Sequence, residues 1–141
     1  GLEDRMQRLW RGLNLSNHNC MPKVSPIRKS HEIDATGKAV GRLAAQVAIL
    51  LRGKNKTDFD PSIDAGDSVV INHASLVKFT GRKLVQKDYY SHTMFRGGLT
   101  RTPMKKVFEK DAAEVIRHAV NGMLPKNRQR NNLMRRLTFH V

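Results

Sequence analysis

The clearest hydrophobic pattern in the chain lies between residues 38 and 53. Its apolar residues recur at helical spacing and share one side of a helical wheel: Val40, Leu43, Ala44, Val47, Leu50 and Leu51. Lys38, Arg42 and Gln46, four residues apart, lie on another side. Gly53 follows Arg52 and is suited to cap a helix, because glycine adopts the left-handed conformation without strain. The pattern predicts an amphipathic helix that ends at Arg52.

Two further helices are predicted in the second half of the chain. The segment 111–114, Asp-Ala-Ala-Glu, resembles a capping box. Apolar residues at helical spacing follow it and are expected to face the core: Val115, Ile116, Ala119, Val120 and Met123. Before it, Thr102 and Pro103 are suited to the N-cap and the first turn of a short helix. That helix carries Met104, Val107 and Phe108.

Short apolar runs predict the strands. Residues 68–72 and 76–80 are typical of buried strands, and Leu137, Phe139 and Val141 alternate with polar residues as in a terminal strand. Residues 31–35 have weak β propensity and are predicted as a strand because a helix follows them. The link between residues 68–72 and residues 76–80 is too short for a parallel crossover. Residues 76–80 are therefore expected either to pair antiparallel with 68–72 or to form a hairpin with residues 87–92.

The segment 122–137 combines apolar docking positions with a run of cations. Pro125 is suited to a first helical turn. On a helical wheel Leu133 and Leu137 share one side, and Arg128 and Arg135 fall on the opposite side. Met123, Leu124, Leu133 and Leu137 are expected to dock the segment, which leaves Lys126, Asn127, Arg128 and Arg135 to meet a polyanion. Arg130 falls on the apolar side, so either its side chain snorkels or the helix begins later.

Composition indicates a nucleic-acid partner. The chain has 141 residues, which suits one domain, and 26 Lys+Arg against 12 Asp+Glu give a formal charge of +14. An anionic membrane is the competing partner, but no apolar run approaches the roughly 20 residues needed to span a bilayer. Cys20 is the single cysteine and cannot form an internal disulfide.

Residues 1–30 are predicted to be a basic extension of a domain that covers residues 31–141. Met6, Leu9, Trp10 and Leu13 fall at helical spacing, and no acidic residue occurs between Arg5 and His31. These features are typical of an organelle targeting segment, although Glu3 and Asp4 argue against one. A flexible basic tail with no targeting role is the alternative.

Four aspartates, Asp58, Asp60, Asp64 and Asp67, suggest a calcium loop, but their spacing does not fit one. An EF-hand loop that starts at Asp58 requires Gly at position 63 and Glu at position 69, where the chain has Ile63 and Val69. We therefore expect a loop whose aspartates accept turn hydrogen bonds or pair with neighbouring cations. No metal or cofactor is predicted.

Catalytic motifs are missing from the sequence. A Walker loop that ends at Gly53-Lys54 would need Gly at position 48 and Ser or Thr at 55, where Ala48 and Asn55 stand. The six histidines have no metal-ligand spacing, and no nucleophile elbow occurs. The chain is therefore predicted not to be an enzyme and to take no small-molecule substrate. A basic ribonuclease that pairs His92 with an aspartate is the catalytic alternative.

Aromatic and basic residues alternate near residue 90. Tyr89, Tyr90, His92 and Phe95 are interspersed with Lys87 and Arg96, a mixture that binds RNA by stacking and by phosphate contact. Because neighbouring residues of a strand point to opposite faces, one of the two tyrosines is expected to face the core. Arg82 and Lys83 follow Gly81 at a predicted turn, and Gly97-Gly98 marks a loop.

Several motifs occur in the order found in one family. They are Ile33-Asp34-Ala35, Gly41-Arg42-Leu43-Ala44, Leu51-Arg52-Gly53-Lys54, Gly66-Asp67-x-Val69-Val70, Lys87-x-Tyr89-Tyr90-x-His92, Gly97-Gly98-Leu99 and, most specific, Gly122-Met123-Leu124-Pro125-Lys126-Asn127. Over residues 31–141 the chain resembles the large-subunit ribosomal protein thirteen (L13) family in its bacterial and organellar form. Two departures are His31-Glu32, where the family has an aromatic-rich strand start, and Arg96, where it usually has proline.

The resemblance implies a three-layer α/β/α domain with a mostly parallel four-stranded sheet. It also implies binding of large-subunit rRNA, with neighbouring ribosomal proteins as further partners. The matched RNA-binding positions are Arg42, Arg52, Lys54, Arg82, Lys83, His92, Lys126, Asn127, Arg128 and Arg130. The charge and aromatic patterns add Lys56, Tyr90, Arg96, Arg135 and Arg136. The basic extension favours a mitochondrial ribosome over a bacterial one, and a free regulatory RNA-binding protein is the alternative function.

Overall fold

A computed structural model describes residues 27–140 of the chain. The strands are β1 (Ser30–Asp34), β2 (Ser68–Asn72), β3 (Asp88–His92), β4 (Leu99–Pro103) and β5 (Leu137–His140). The helices are α1 (Val40–Arg52), α2 (Lys83–Gln86), α3 (Met104–Lys110), α4 (Ala112–Met123) and α5 (Arg130–Arg135), with a 3₁₀ turn at Ala74–Leu76. The predictions for the segment around Trp10, for Cys20 and for Val141 lie outside the described residues.

The main sheet has three parallel strands in the order β1-β2-β5 within the described residues, not the four that were expected. Residues 76–80 do not form the predicted strand. The left-handed backbone of His73 turns the chain into the 3₁₀ turn, after which Lys78 makes only an isolated parallel bridge with Ala39. Both edges of β2 are occupied, by β1 and β5, and β3 pairs with β4, so neither predicted partner is available to residues 76–80.

Helices α1, α4 and α5 pack on one face of this sheet. Val69 and Ile71 of β2 are fully buried, and they join Leu43, Ile116 and Leu133, from α1, α4 and α5, in one core cluster. On the other face Glu32 and Thr138 are exposed. The buried face of the sheet is therefore the face that the helices cover. The third layer of the predicted α/β/α arrangement, helices on the opposite face, is not seen within residues 27–140.

Helix α1 confirms the hydrophobic pattern that predicted it. Leu43, Ala44, Val47 and Leu51 are fully buried. The helix ends at Arg52, and Gly53 adopts a φ of 78° and donates its backbone N–H to the carbonyl of Leu50 at 3.0 Å. A left-handed glycine at this position satisfies carbonyls that would otherwise lack a donor.

The starts of α3 and α4 differ in part from the predicted caps. Asp111 Oδ1 accepts a hydrogen bond from the backbone N–H of Ala113 at 2.8 Å, but Glu114 pairs with Arg117 and does not complete the capping box. Helix α3 begins at Met104, one residue later than expected. Its Thr102-Pro103 start belongs instead to β4, since Thr102 pairs with Tyr89 in the β3–β4 hairpin.

The β3–β4 hairpin replaces the one considered from sequence. Strands β3 and β4 pair antiparallel from Asp88↔Pro103 to His92↔Leu99, and residues 83–86 form the short helix α2 rather than a hairpin turn. No helix in residues 27–140 is long and apolar enough to cross a membrane.

Candidate nucleic-acid interface

The segment 122–137 places a basic turn between two buried anchors. Helix α4 ends at Met123, and α5 begins only at Arg130, so Pro125 does not start a helix. Leu124 and Leu133 are buried, as predicted, and Lys126, Asn127 and Arg128 between them are exposed. The turn is held by the Asn127 N–H, which donates to the carbonyl of Pro125 at 2.9 Å.

Helix α5 confirms the predicted division of its sides. Leu133 and, just after the helix, Leu137 are buried, whereas Arg128 and Arg135 are exposed. Met123 was expected to dock with the leucines, but it is 48% exposed. This position falls at the last turn of α4, on the side that faces solvent.

Arg130 supports the turn from inside. Its Nε donates to the carbonyl oxygen of Pro125 at 3.1 Å and its Nη2 to that of Leu124 at 3.3 Å. Of the two alternatives left open by the sequence, the later helix start is the one observed, and the half-buried guanidinium group binds backbone carbonyls instead of snorkelling to solvent. A cation at this position stabilises carbonyls at the end of α4.

Lys56 and Arg136, both predicted to bind RNA, have their charged groups turned into the fold. Lys56 Nζ lies 2.6 Å from Asp67 Oδ1 and also donates to the carbonyl oxygen of Ala65 at 2.7 Å. Arg136 pairs with Asp64, donates to the carbonyl oxygen of Gly66 at 2.7 Å, and its side chain is only 12% exposed. Buried or half-buried carboxylates require such partners. Lys56 and Arg136 therefore stabilise the fold from within.

The aspartate loop behaves as the sequence indicated. Asp60 accepts a hydrogen bond from the backbone N–H of Ser62 at 2.8 Å, which lowers its pKa. Asp64 and Asp67 are paired with cations. The interpretation as a loop of turn bonds and ion pairs is confirmed. Within the described residues no group of three His, Cys, Asp or Glu side chains could hold a metal ion.

The end of α1 lies beside the basic turn. Arg52 stacks over the ring of Phe59, 5.4 Å from its centroid, and lines a crevice with Pro125 and Asn127. Lys54 shares a neighbouring shallow groove with Arg52 and Leu124. The structure thus brings Asn127 close to Arg52 and Lys54, two predicted RNA-binding residues that are distant from it in the chain.

A second groove extends this surface along the end of α4, where Met123 lines both grooves. It has a volume of about 340 Å³, and Gly41, Lys83 and Gly122 line it. The sequence did not identify two further members of its lining, Lys78 and His118, and it noted Lys87 only as part of the aromatic and basic stretch near residue 90. These residues lie in separate segments of the chain, so no local pattern connects them. Arg42 is exposed on α1 beside Gly41.

The hairpin carries the remaining predicted residues. Tyr89 is half-buried against His118, with ring centroids 4.6 Å apart, and burial raises the pKa of its hydroxyl. Tyr90 is exposed, which confirms that one of the two tyrosines faces inward. His92 and Arg96 are exposed as well, and His92 makes no hydrogen bond to a carboxylate of the described chain. Within residues 27–140, His92 therefore has no aspartate partner of the kind that the ribonuclease alternative requires.

Eight of the predicted basic residues share two properties: they are exposed, and they have no carboxylate partner among residues 27–140. They are Arg42, Lys54, Arg82, Lys83, Arg96, Lys126, Arg128 and Arg135. Unpaired guanidinium and ammonium groups on a stable scaffold are suited to phosphate groups.

Comparison with known proteins identifies close relatives. The family model described as Ribosomal protein L13 matches residues 28–141. A protein of Caldicellulosiruptor saccharolyticus named large ribosomal subunit protein uL13 is 46% identical over 126 residues, which cover 89% of this chain and 85% of the relative. Proteins of the same name from Lawsonia intracellularis and Aquifex aeolicus are 48% and 46% identical, over 82% and 80% of the chain and 83% and 78% of their own lengths.

Proposed function

Since the chain belongs to the ribosomal protein L13 family, we propose that it is a structural constituent of the large ribosomal subunit that binds and stabilises large-subunit rRNA. The observation that carries the proposal is the turn at residues 125–129. It holds Lys126, Asn127 and Arg128 outward between the buried Leu124 and Leu133. The proposed activity requires no catalysis, cofactor or small-molecule substrate.

The proposed RNA surface consists of the exposed members of the predicted set together with the half-buried Arg52. It includes Arg42, Arg52, Lys54, Arg82, Lys83, Tyr90, His92, Arg96, Lys126, Asn127, Arg128 and Arg135. Lys56, Arg130 and Arg136 support this surface from within the fold and are not direct phosphate ligands in the proposal, because their charged groups are already hydrogen-bonded to protein oxygens.

The proposed mechanism is neutralisation of phosphates along folded RNA. Helical RNA hides its base edges in a deep, narrow groove that side chains cannot enter, so the protein recognises shape and backbone more than sequence. The helices and the sheet hold the cations in fixed positions before binding, which reduces the entropy lost when the complex forms. The bound protein would then hold distant RNA segments together.

The salt dependence of binding tests the proposal. If about six phosphates are neutralised, the logarithm of the affinity for large-subunit rRNA falls with the logarithm of the salt concentration at a slope of about −4 to −5. Filter binding or fluorescence anisotropy from low to moderate salt measures this slope. A slope near zero would overturn the phosphate mechanism.

Cosedimentation with large ribosomal subunits in high salt tests the structural role. A constituent of the subunit remains in the subunit peak, whereas a free regulatory RNA-binding protein is released. Incubation of the protein with rRNA in the same experiment tests the ribonuclease alternative. We expect intact RNA, and cleavage abolished by His92→Ala would favour the enzyme instead.

Mitochondria are the proposed location of this ribosome, with the bacterial cytoplasm as the alternative. The basic, acid-free stretch from Arg5 to Lys29 supports the mitochondrial proposal. The relatives named above are bacterial proteins, which supports the bacterial alternative. Antibody detection of the chain in ribosomes from purified mitochondria and from the remaining cell extract distinguishes the two. Crosslinking of the same ribosomes identifies the neighbouring proteins proposed as further partners.

A further inference from the structure

The loop of the β3–β4 hairpin carries two strongly exposed apolar side chains. Met94 is 99% exposed and Phe95 81% exposed. Leu99, where β4 begins, is exposed as well, so the apolar surface continues from the loop onto the strand. A cluster of exposed large apolar side chains is typical of a contact site, because water solvates such surface poorly.

The backbone of the loop is held in one conformation. The N–H of Thr93 donates to the carbonyl oxygen of Gly98 at 2.8 Å, and the N–H of Gly98 donates to that of Phe95 at 3.0 Å. Gly97 has a φ of 73°, and a Cβ on Gly98 would lie 1.9 Å from Thr93 Oγ1. The glycine pair is therefore required by the turn. A loop fixed in this way presents Phe95 with little further loss of entropy on binding.

The charge around the loop is positive. Arg96 follows Phe95 directly, and His92 lies at the end of β3. Residues 89–108 contain no acidic residue. Asp88, at the start of β3, is paired with Arg101, whose Nε donates to the Asp88 carboxylate at 2.6 Å. An exposed aromatic ring beside the exposed guanidinium group of Arg96 fits a nucleic-acid base next to its phosphate.

We propose that Phe95, flanked by Met94 and Arg96, is a stacking platform for an unpaired base of the rRNA. The inference rests on the proposed function and adds a contact that does not depend on charge. Unpaired bases in loops and bulges leave the RNA stack and bind aromatic side chains, whereas paired bases are inaccessible. This contact would direct the basic surface to one unpaired site, since phosphate contacts by themselves carry no sequence information.

The test measures affinity and salt slope for four variants of the full chain on a large-subunit rRNA transcript. Phe95→Ala is expected to weaken binding about 5- to 100-fold without changing the slope, because one base loses its stacking partner. Phe95→Leu keeps the apolar bulk but has no aromatic ring, so its affinity is expected to be as low as that of Phe95→Ala. Phe95→Trp should bind at least as well as wild type. Arg96→Ala should weaken binding and make the slope less steep by about 0.7 to 0.9.

Two controls test whether the loss of affinity is specific to Phe95 and to unpaired bases. Leu76→Ala removes an exposed apolar side chain outside the proposed surface and should bind within about twofold of wild type. On a fully paired RNA duplex, Phe95→Ala should also match wild type.

Each remaining outcome overturns one claim. Wild-type affinity of Phe95→Ala on the rRNA transcript, with a normal salt slope for wild type, would overturn the stacking platform and leave the proposed function standing. Wild-type affinity of Phe95→Leu would show that apolar bulk, and not a base-stacking ring, makes the contact. A wild-type slope near zero would instead contradict the proposed function itself.

Discussion

Lys56 Nζ lies 2.6 Å from Oδ1 of Asp67, a carboxylate whose side chain is only 1% exposed. The same ammonium group donates to the carbonyl oxygens of Ile27 and Ala65. His31 Nε2 lies 2.9 Å from the other carboxylate oxygen. This network joins the start of the domain to the loop that enters β2, so it fixes the position of the central strand of the sheet.

Loss of the Lys56 charge should destabilise the fold. Lys56→Met removes the principal partner of a buried carboxylate, and we expect the free energy of unfolding to fall by about 3 kcal/mol. Urea denaturation of the isolated chain measures the change. Lys54→Ala is the matched control, since Lys54 is exposed and its removal should change stability by less than about 0.5 kcal/mol. Equal stability of the two variants would contradict a structural role for Lys56.

The same network predicts a loss of stability in acid. Burial raises the pKa of Asp67, whereas hydrogen bonds from Lys56 and His31 and the charge of Lys56 lower it. With a third hydrogen bond, from the backbone N–H of Lys29, the pKa falls from 3.8 to about 2. A pKa that is lower in the folded state stabilises the fold above the unfolded pKa, and this contribution is lost as the pH falls from 3.8 through about 2.

The expected contribution of Asp67 is about 2 kcal/mol at neutral pH. The measurement is the difference in unfolding free energy between wild type and Asp67→Asn from neutral pH to pH 2. Subtracting the unfolding free energy of the variant cancels the contribution of other carboxylates, such as Asp34, whose pKa is also lowered. A difference that does not shrink in acid would show that the Asp67 carboxylate has an ordinary pKa.

Two adjacent arginines should have opposite roles. Arg136→Ala removes the guanidinium that pairs with Asp64 and binds the carbonyl of Gly66, and should reduce stability by about 2 to 3 kcal/mol. Arg135 is exposed, so Arg135→Ala should leave stability within about 0.5 kcal/mol of wild type.

RNA binding, unlike stability, should depend on the exposed arginines. Arg128→Ala with Arg135→Ala should weaken rRNA binding and make the salt slope less steep by about 1.5, while thermal unfolding stays close to wild type. Unfolding of this double variant would mean that the arginine side of α5 is buried. Unchanged affinity would remove both residues from the proposed RNA surface.

Two glycines should respond to alanine with opposite sign. A Cβ on Gly66 would lie 1.7 Å from the carbonyl oxygen of Leu51, so Gly66→Ala should destabilise the fold by about 3 kcal/mol. Gly122 is helical and a Cβ there meets nothing within 4 Å. Gly122→Ala should therefore stabilise the isolated protein by about 0.5 to 1 kcal/mol. Thermal denaturation of both variants checks the two signs, and a loss of stability in Gly122→Ala would contradict an open position.

The sequence by itself determined the features that local periodicity controls. Helix α1 and its Gly53 cap follow from apolar residues within one contiguous segment, because contacts between residues three and four apart define an amphipathic helix. The separation of Leu133 from Arg135 follows for the same reason. Strand β2 was also predicted at its observed bounds. The motif at residues 122–127 indicated the family and the position of the candidate surface.

Only the tertiary structure decided which cations remain available for RNA. Lys56, Arg130 and Arg136 belong to the same basic runs as their exposed neighbours, and no local pattern distinguishes them. Arg136 is engaged by Asp64, 72 positions away in the chain. Likewise, the pairing of β3 with β4, and the absence of a strand at residues 76–80, depend on where each segment lies after the core has packed. Ion pairs and strand pairs join residues that are distant in sequence, so their partners are fixed by the fold and not by spacing.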